Sequence, residues 1–195
     1  AVELLPRLLR LFQETNPDVR VQLHDLSTQE MLHGLRDGKL HVALLVQVSA
    51  KVMAGLAFEE LQRHAVSVAV HPAHPLARAR KVGLTDVARE RIIAYTLADY
   101  PEYHSWLVEL FAPLDLSAQI VEEHDSATSL IAAVEAGRGV ALVSQRMDCL
   151  AGPRLKIRPL QPAPRPLVIG IASRKEDDSK TTQGFIAAAR RAKAA

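Results

Sequence analysis

The sequence predicts an α/β fold, because segments with helical periodicity alternate along the chain with short apolar segments typical of strands. Near the start, apolar residues recur at the three- and four-residue spacing of a helix with one apolar face: Leu5, Leu8, Leu9 and Phe12. Pro17 predicts the end of this helix, and the alternation of polar residues with Val19, Val21 and Leu23 predicts a strand after it. The apolar run of residues 40–46 predicts a second strand, buried on both faces.

A helix start between these two strands has the sequence of an anion-binding site. Ser27 and Glu30 form a capping-box pattern, in which the serine hydroxyl accepts from the Glu30 amide and the glutamate side chain reaches back. Gly38 favours the end of this helix. Because the first amides of a helix lack intrahelical acceptors, its start can also bind a carboxylate. A plain capping box is the alternative, and the residue types alone favour it.

The remainder of the chain continues the alternation of strands and helices. Strands are predicted at residues 66–70, 91–95, 120–122, 140–143, 155–157 and 167–172. Helices are predicted after Pro101, from Asp125-Ser126 to Ala136, and after Asp178-Ser179. The four prolines of residues 159–166 predict an irregular loop.

Composition restricts the class of protein. The 195 residues are 48% hydrophobic and 24% charged, which is typical of an ordinary globular α/β chain. A net charge of +2 from 24 basic and 22 acidic residues is too balanced to indicate a nucleic-acid surface. Cys149 is the single cysteine, which excludes an internal disulfide and fits a reducing compartment. No apolar run is long enough to span a membrane.

Several motifs occur in the order of a known family. They are Leu4-Leu5-Pro6 with Phe12, Asn16-Pro17-Asp18, Ser27-Thr28, Leu35-Arg36-Asp37-Gly38, His71-Pro72-Ala73-His74-Pro75-Leu76-Ala77, and Val134-Glu135-Ala136-Gly137-Arg138-Gly139-Val140-Ala141-Leu142-Val143. In this order and spacing they closely resemble the effector-binding domain of the LysR-type transcriptional regulators. The resemblance covers nearly all of the chain.

The resemblance implies a specific form of α/β fold: two Rossmann-like subdomains joined by two crossover strands, as in type 2 periplasmic-binding proteins. Subdomain I is then predicted to comprise residues 1–69 and 162–195, and subdomain II residues 70–161. The small molecule is expected in the cleft between the subdomains. The family pattern also has a strand, a helical linker and a winged helix-turn-helix before the position of Ala1. We therefore expect this chain to be a fragment without its DNA-binding part.

The expected ligand-binding residues combine the family pattern with the residue types. In this family the equivalent of Thr28 commonly faces the effector, and some members that sense aromatic acids have arginine near Val46 and Gln62. Aromatic and polar side chains follow the strand at residues 91–95, where they can contact an organic acid, although Tyr103 fits core packing equally well. The predicted ligand-binding set is Ser27, Thr28, Val46, Tyr100, Tyr103, His104, Ser126 and Thr128.

The first helix is apolar over more of its circumference than one core contact needs, which predicts a protein interface. The family pairs head to tail, with this helix against a second-lobe helix of the other subunit, here residues 128–136. The predicted dimer-interface residues are Leu4, Leu8, Leu11 and Val21. We expect a homodimer or homotetramer.

These observations predict a small-molecule sensor domain of a cytoplasmic transcriptional regulator, with an organic acid as effector and DNA contacted only through the missing domain. The alternative is a periplasmic solute-binding protein of a transport system, which shares the two-lobed fold. An enzyme is not expected, because the sequence has no Gly-x-Ser-x-Gly, His-Glu-x-x-His or phosphate-loop motif. No cofactor or metal is expected, because His71 and His74 lack further ligands.

Overall fold

The computed structural model describes residues 4–193, and their packing divides the chain into two compact units. Unit one runs to Arg63 and resumes at Val168, and unit two is His64–Leu167. The sequence prediction had placed residues 64–69 and 162–167 in the first of these. Residues 64–69 group with unit two because the strand at residues 66–70 is hydrogen-bonded to two other strands of that unit, and Leu167 packs against the apolar cluster of the same unit.

The helices and strands follow the predicted alternation. The helices are α1 (Leu4–Thr15), α2 (Thr28–Arg36), α3 (Leu84–Val87), α4 (Pro101–Phe111), α5 (Ala127–Glu135), α6 (Asp148–Ala151) and α7 (Lys180–Lys193). The strands are β1 (Val42–Val46), β2 (Leu56–His64), β3 (Val66–Val70), β4 (Val82–Gly83), β5 (Arg91–Tyr95), β6 (Gln119–His124), β7 (Ala141–Ser144), β8 (Lys156–Gln161) and β9 (Leu167–Arg174). None of the helices within residues 4–193 is long and apolar enough to cross a membrane.

Unit one is a three-stranded sheet with helices on both faces. Its strand order is β1-β9-β2, and β9 runs antiparallel to β1 with Val42 opposite Ser173. Ile171 of β9 packs in a cluster with α1 and α7, whereas its neighbour Ala172 packs in a cluster with α2. Because successive side chains of a strand point to opposite faces, α2 lies on one face of the sheet and α1 with α7 on the other.

Unit two contains a four-stranded sheet of order β4-β8-β3-β7 and a parallel pair, β5 and β6. All five residues of β3 are buried, since β7 and β8 flank it on either side in antiparallel pairing. A bridge between Ile92 and Val140 connects β5 to the start of β7. The first residues of α4 follow β5, and those of α5 follow β6.

Two expectations about secondary structure were wrong. Residues 19–24 form no strand: Val19 and Val21 are half-buried against the α1–α7 cluster, but no described strand pairs with them. The prolines after residue 158 do not all lie in a loop, because β8 continues through Pro159 to Gln161. Pro159 lies opposite Ser67 of β3, and β4 pairs only with the later residues Leu160 and Gln161 of β8.

Two of the predicted interface residues belong to the core of unit one. Leu4 is 4% exposed and Leu8 is 0% exposed, and both pack with Phe12 and the helix α7. The Phe12 ring meets Phe185 of α7 edge to face at 5.0 Å between centroids. Leu4 and Leu8 are therefore corrected from interface to core residues, because α7 covers the face of α1 that carries them. Leu11 and Val21 stay half-buried at the edge of this cluster.

Candidate functional site

The start of α2 in unit one has the capping box that the sequence predicted. The amide of Glu30 donates to the Ser27 hydroxyl oxygen at 3.3 Å, and the Ser27 amide donates to a Glu30 carboxylate oxygen at 2.8 Å. The helix begins because Ser27 has an extended backbone, φ −66° and ψ 164°, and supplies this cap. The cap serves the Glu30 amide, so the helix geometry leaves the amides of Thr28 and Gln29 without an intrahelical acceptor.

Thr28 is the first residue of α2, and its hydroxyl group is the main candidate for a ligand contact in unit one. Its side chain is almost fully buried, since the residue is only 4% exposed. Within residues 4–193 its hydroxyl has no hydrogen-bond partner. A hydroxyl group without a partner, beside helix amides that lack an intrahelical acceptor, is an arrangement that a bound anion would complete.

Val46 is the last residue of β1 and contributes only apolar surface. It pairs with Ile169 of β9, and its side chain is half-buried. The helix α2 packs on β1, and a tight turn at Gly38 reverses the chain between them. The end of β1 and the start of α2 therefore lie toward the same end of unit one. Ser27, Thr28 and Val46 are thus placed at one end of the unit, as the family pattern implies.

In unit two, all three tyrosines and the single tryptophan of the chain lie close together. The Tyr95 ring is 4.6 Å from that of Tyr100 and 5.2 Å from that of Tyr103, and Tyr103 is 5.5 Å from Trp106. The Tyr103 hydroxyl donates to the Leu142 carbonyl at 2.9 Å, and burial raises the pKa of this phenol. Tyr103 therefore has the core-packing role that the sequence had left open beside ligand binding.

Tyr100 is held by the start of the next helix. Its hydroxyl donates to the carbonyl oxygen of Asp125 at 3.1 Å, which links the residue before α4 to the residues before α5. The residue is half-buried. Tyr100 stays a predicted ligand contact.

His104 is tied to its own unit by two acceptors. Its Nε2 lies 2.6 Å from the carbonyl oxygen of Tyr95 and 3.2 Å from a carboxylate oxygen of Glu123. Because a carbonyl can only accept, this nitrogen carries the proton, and a ligand would have to use Nδ1. The same Glu123 oxygen accepts from the Leu97 amide at 3.0 Å. Sequence reasoning missed Glu123, although two adjacent carboxylates at the end of β6 were a visible signal.

The start of α5 is a second capped helix. Ser126 is its N-cap, and the Ser126 hydroxyl oxygen accepts from the Ser129 amide at 3.3 Å. The Ser129 hydroxyl also contacts a carboxylate oxygen of Asp125 at 3.2 Å. The negative charge of Asp125 beside the helix start disfavours binding of an anion there. The Thr128 side chain is exposed and makes no hydrogen bond within residues 4–193. Ser126 and Thr128 stay predicted contacts.

The described part of the chain contains no group of three or more histidine, cysteine, aspartate or glutamate residues that could hold a metal ion. Cys149 is exposed, and the hydrogen bond to the Asp148 carboxylate raises the pKa of its thiol. A thiol with a raised pKa is a weaker nucleophile at neutral pH.

Two α/β units, each with a helix start capped by a serine, are typical of a small-molecule-binding domain. The model of one family, the LysR substrate binding domain, matches residues 1–194. The chain belongs to this family, and the resemblance found in the motifs is confirmed.

Curated relatives of the chain are transcriptional regulators. The regulator BenM of Acinetobacter baylyi is 25% identical over 143 residues, which are 72% of this chain and 46% of BenM. The regulator BudR of Raoultella terrigena is 24% identical over 179 residues, which are 92% of this chain and 61% of BudR. The chain therefore spans about half to three fifths of the length of these regulators.

Solved structures establish the fold. The effector-binding domain of QuiR in complex with shikimate has a TM-score of 0.84 at 21% identity, covering 97% of this chain and 90% of that chain. The BenM effector-binding domain with benzoate has a TM-score of 0.78 at 24% identity, covering 96% of this chain and 85% of that chain. The fold is thus α/β of the type 2 periplasmic-binding-protein-like form, as the sequence predicted.

Proposed function

We propose that the chain is the effector-sensing domain of a LysR-type transcriptional regulator, and that its effector is a small organic carboxylate bound at the start of α2. One observation carries this proposal: the hydroxyl of Thr28, a residue only 4% exposed, has no hydrogen-bond partner in the described chain and stands next to helix amides that also lack acceptors. A carboxylate supplies acceptors for all of these donors, and the helix dipole favours its negative charge.

The relatives support the class of effector. Benzoate and shikimate are both carboxylates, and they are the molecules held by the BenM and QuiR domains. Val46 adds apolar surface at the same end of unit one, which suits an effector with a hydrocarbon body. Because no arginine stands at residue 46 or 62, we propose one carboxylate rather than two.

Calorimetry with matched pairs tests this proposal. Titration with a panel of small organic acids and their carboxamides should give at least one acid whose amide binds about ten-fold more weakly or worse. The amide keeps the shape of the acid but has lost the charge that the helix start favours. Equal affinity within every pair that binds would contradict carboxylate recognition.

We propose further that the DNA contact of the regulator belongs to a part of the protein outside this chain. Charges are nearly balanced, and of the last-turn cations on α7, Arg190 is already paired with Glu59. A protein must neutralise several phosphates to bind DNA usefully at physiological salt. We expect no sequence-specific retardation of DNA by this chain in mobility-shift titrations. Sequence-specific retardation would contradict the proposal that DNA is contacted by another part of the protein.

We also propose that the regulator acts in the cytoplasm, where it meets DNA, and that the chain has no catalytic activity. We propose further that the chain forms a homodimer. Leu11 and Val21 keep part of their apolar surface exposed at the edge of the unit-one core. Leu23 is 57% exposed, and in unit two the β6 residue Val121 is 45% exposed on a strand that pairs only with β5 among the described strands. Exposed apolar residues beside an unpaired strand edge favour association of protein chains.

A further inference from the structure

Unit two has a concentration of positive charge between β3 and β5. Residues 71–91 contain five arginine or lysine residues and two acidic residues, whereas the whole chain has 24 basic and 22 acidic residues. None of these five cations has an ion pair within residues 4–193. All five are exposed: Arg78, Arg80, Lys81, Arg89 and Arg91.

Three of these cations lie on one exposed turn. A 3₁₀ helix begins at Pro75 and ends at Arg78, and Ala79 then has an extended backbone, φ −72° and ψ 141°. Arg80 and Lys81 follow and lead directly into the edge strand β4. This strand has only two residues, and a very short edge strand is already protected against pairing with another chain. The cations are therefore not needed to protect the sheet edge.

Arg158 of β8 adds a fourth cation beside this turn. Its Nε and Nη2 donate to the Ala77 carbonyl oxygen at 2.9 and 2.6 Å, which holds the guanidinium group against the 3₁₀ helix. Arg158 is half-buried, and within residues 4–193 it has no carboxylate partner and its Nη1 has no acceptor. A cation that is partly removed from water and keeps a free donor favours an anion beside it. Together with Arg78, Arg80 and Lys81 it forms a cluster of four cations, the basic turn.

The acidic residues nearest in sequence do not neutralise the basic turn. A carboxylate oxygen of Glu90 lies 3.4 Å from His74 Nε2, so Glu90 already has a partner. Asp86 of α3 is exposed and has no ion pair within the described range. Because like charges in one place repel each other, the cluster lowers stability, and a bound anion would recover part of that loss.

The surroundings of the basic turn favour a phosphate backbone over a protein partner. None of the large hydrophobic side chains exposed within residues 4–193 lies in residues 71–91 or in β8. Protein interfaces have an apolar core, whereas contacts with DNA are polar and strongly positive. Three of the four cations are arginines, and the planar guanidinium group matches the oxygen atoms of a phosphate.

We propose that the basic turn binds the phosphate backbone of DNA, as a second contact beside the sequence-specific contact made outside this chain. Phosphate contacts carry no sequence information, so this contact agrees with the expectation that the chain causes no sequence-specific retardation. In the regulator, the DNA-binding part raises the effective concentration of DNA at the turn, so a contact that is weak in isolation becomes occupied. The contact rests on the proposed role of the chain in a regulator, but not on the identity of the effector.

Fluorescence anisotropy with a labelled DNA duplex tests the proposal. At a salt concentration on the order of 20 mM, the chain should bind a duplex of about 20 base pairs with a dissociation constant on the order of 0.1 mM. Two duplexes of unrelated sequence should bind equally. With four phosphates contacted, the logarithm of the binding constant should fall with the logarithm of the salt concentration with a slope of about −3.6.

Two triple variants make the test specific to the basic turn. Replacing Arg78, Arg80 and Lys81 together by glutamine should weaken binding about ten-fold or more and reduce the slope to about −0.9. The control variant changes the net charge by the same amount at three exposed cations elsewhere, and it should keep most of the affinity: Lys51→Gln, Lys175→Gln and Lys180→Gln. All six side chains are exposed, so we expect both variants to fold, and thermal unfolding followed by circular dichroism measures this.

Four outcomes would overturn the contact. The first is the absence of salt-dependent binding at low salt, and the second is an equal loss of affinity in both triple variants, which would show that net charge alone governs binding. The third is a preference for one duplex sequence. The fourth is competition by poly-glutamate as strong as competition by unlabelled DNA at the same charge concentration, which would indicate an acidic protein as the partner. Calorimetry of effector binding at Thr28 is a separate measurement, so failure of the DNA contact leaves the proposed effector site standing.

Discussion

Replacing Thr28 by valine is expected to weaken a carboxylate effector about ten- to a hundred-fold. Valine keeps the shape of threonine but lacks the hydroxyl, and a hydrogen bond to a charged group contributes about 1.5–3 kcal/mol. Thr28 makes no other side-chain hydrogen bond within residues 4–193, so the substitution removes little else. Calorimetric titration of the variant with an effector confirmed on the wild-type chain measures the change.

Ser27→Ala separates ligand binding from helix capping. Ser27 caps α2, so its loss should lower the free energy of unfolding by about 1 kcal/mol, whereas Thr28→Val should leave thermal stability nearly unchanged. Thr85→Val, at an exposed threonine of α3, is the matched control for the chemistry of the substitution. An unchanged affinity in Thr28→Val would remove this residue from the site.

Local features of the sequence predicted local structure well. The capping box at Ser27 was confirmed because both partners lie within four residues, and the same holds for Ser126 and its helix. The apolar runs at residues 66–70 and 91–95 coincide with β3 and β5, because a short continuous apolar run is typical of a strand that is buried on both faces.

Features that depend on distant residues were not predictable. The alternation at residues 19–24 indicated a buried face, which Val19 and Val21 partly have, but a strand also needs a neighbour with free backbone groups. The strand β2 was missed because it lies at a sheet edge, where residues such as Glu59, Glu60 and Arg63 replace the apolar run. Edge strands often carry charge, which hides their period.

The sequence predicted which residues lie near the candidate site, but it predicted only in part where their side chains point. Tyr103 and His104 were correctly placed near the end of β5, yet their polar atoms reach the backbone carbonyls of Leu142 and Tyr95. Backbone acceptors carry no signature in the sequence. Thr28 was predicted because the family pattern gives the position of the helix start, and the helix start gives the direction of its first residues.

Replacing Leu11 by glutamate is expected to convert the proposed dimer into monomers. Leu11 is half-buried at the edge of the cluster between α1 and α7, so a glutamate there can turn to solvent in the monomer. In a dimer the same charge would be desolvated, and two-fold symmetry applies the cost twice, which should weaken association on the order of a hundred-fold or more. Light scattering at micromolar concentration measures the mass, and circular dichroism measures whether the fold is kept.

Leu8→Glu is the contrasting variant on the same helix. Leu8 is 0% exposed in the core of unit one, so the buried charge should cost about 4 kcal/mol or more and abolish cooperative unfolding. That loss is comparable with the whole stability of many domains. A wild-type chain that is already monomeric at high concentration contradicts the dimer, and so does a Leu11→Glu variant with the mass of a dimer. If Leu11→Glu unfolds as Leu8→Glu does, the assignment of Leu11 to the surface is wrong, because its side chain then belongs to the core.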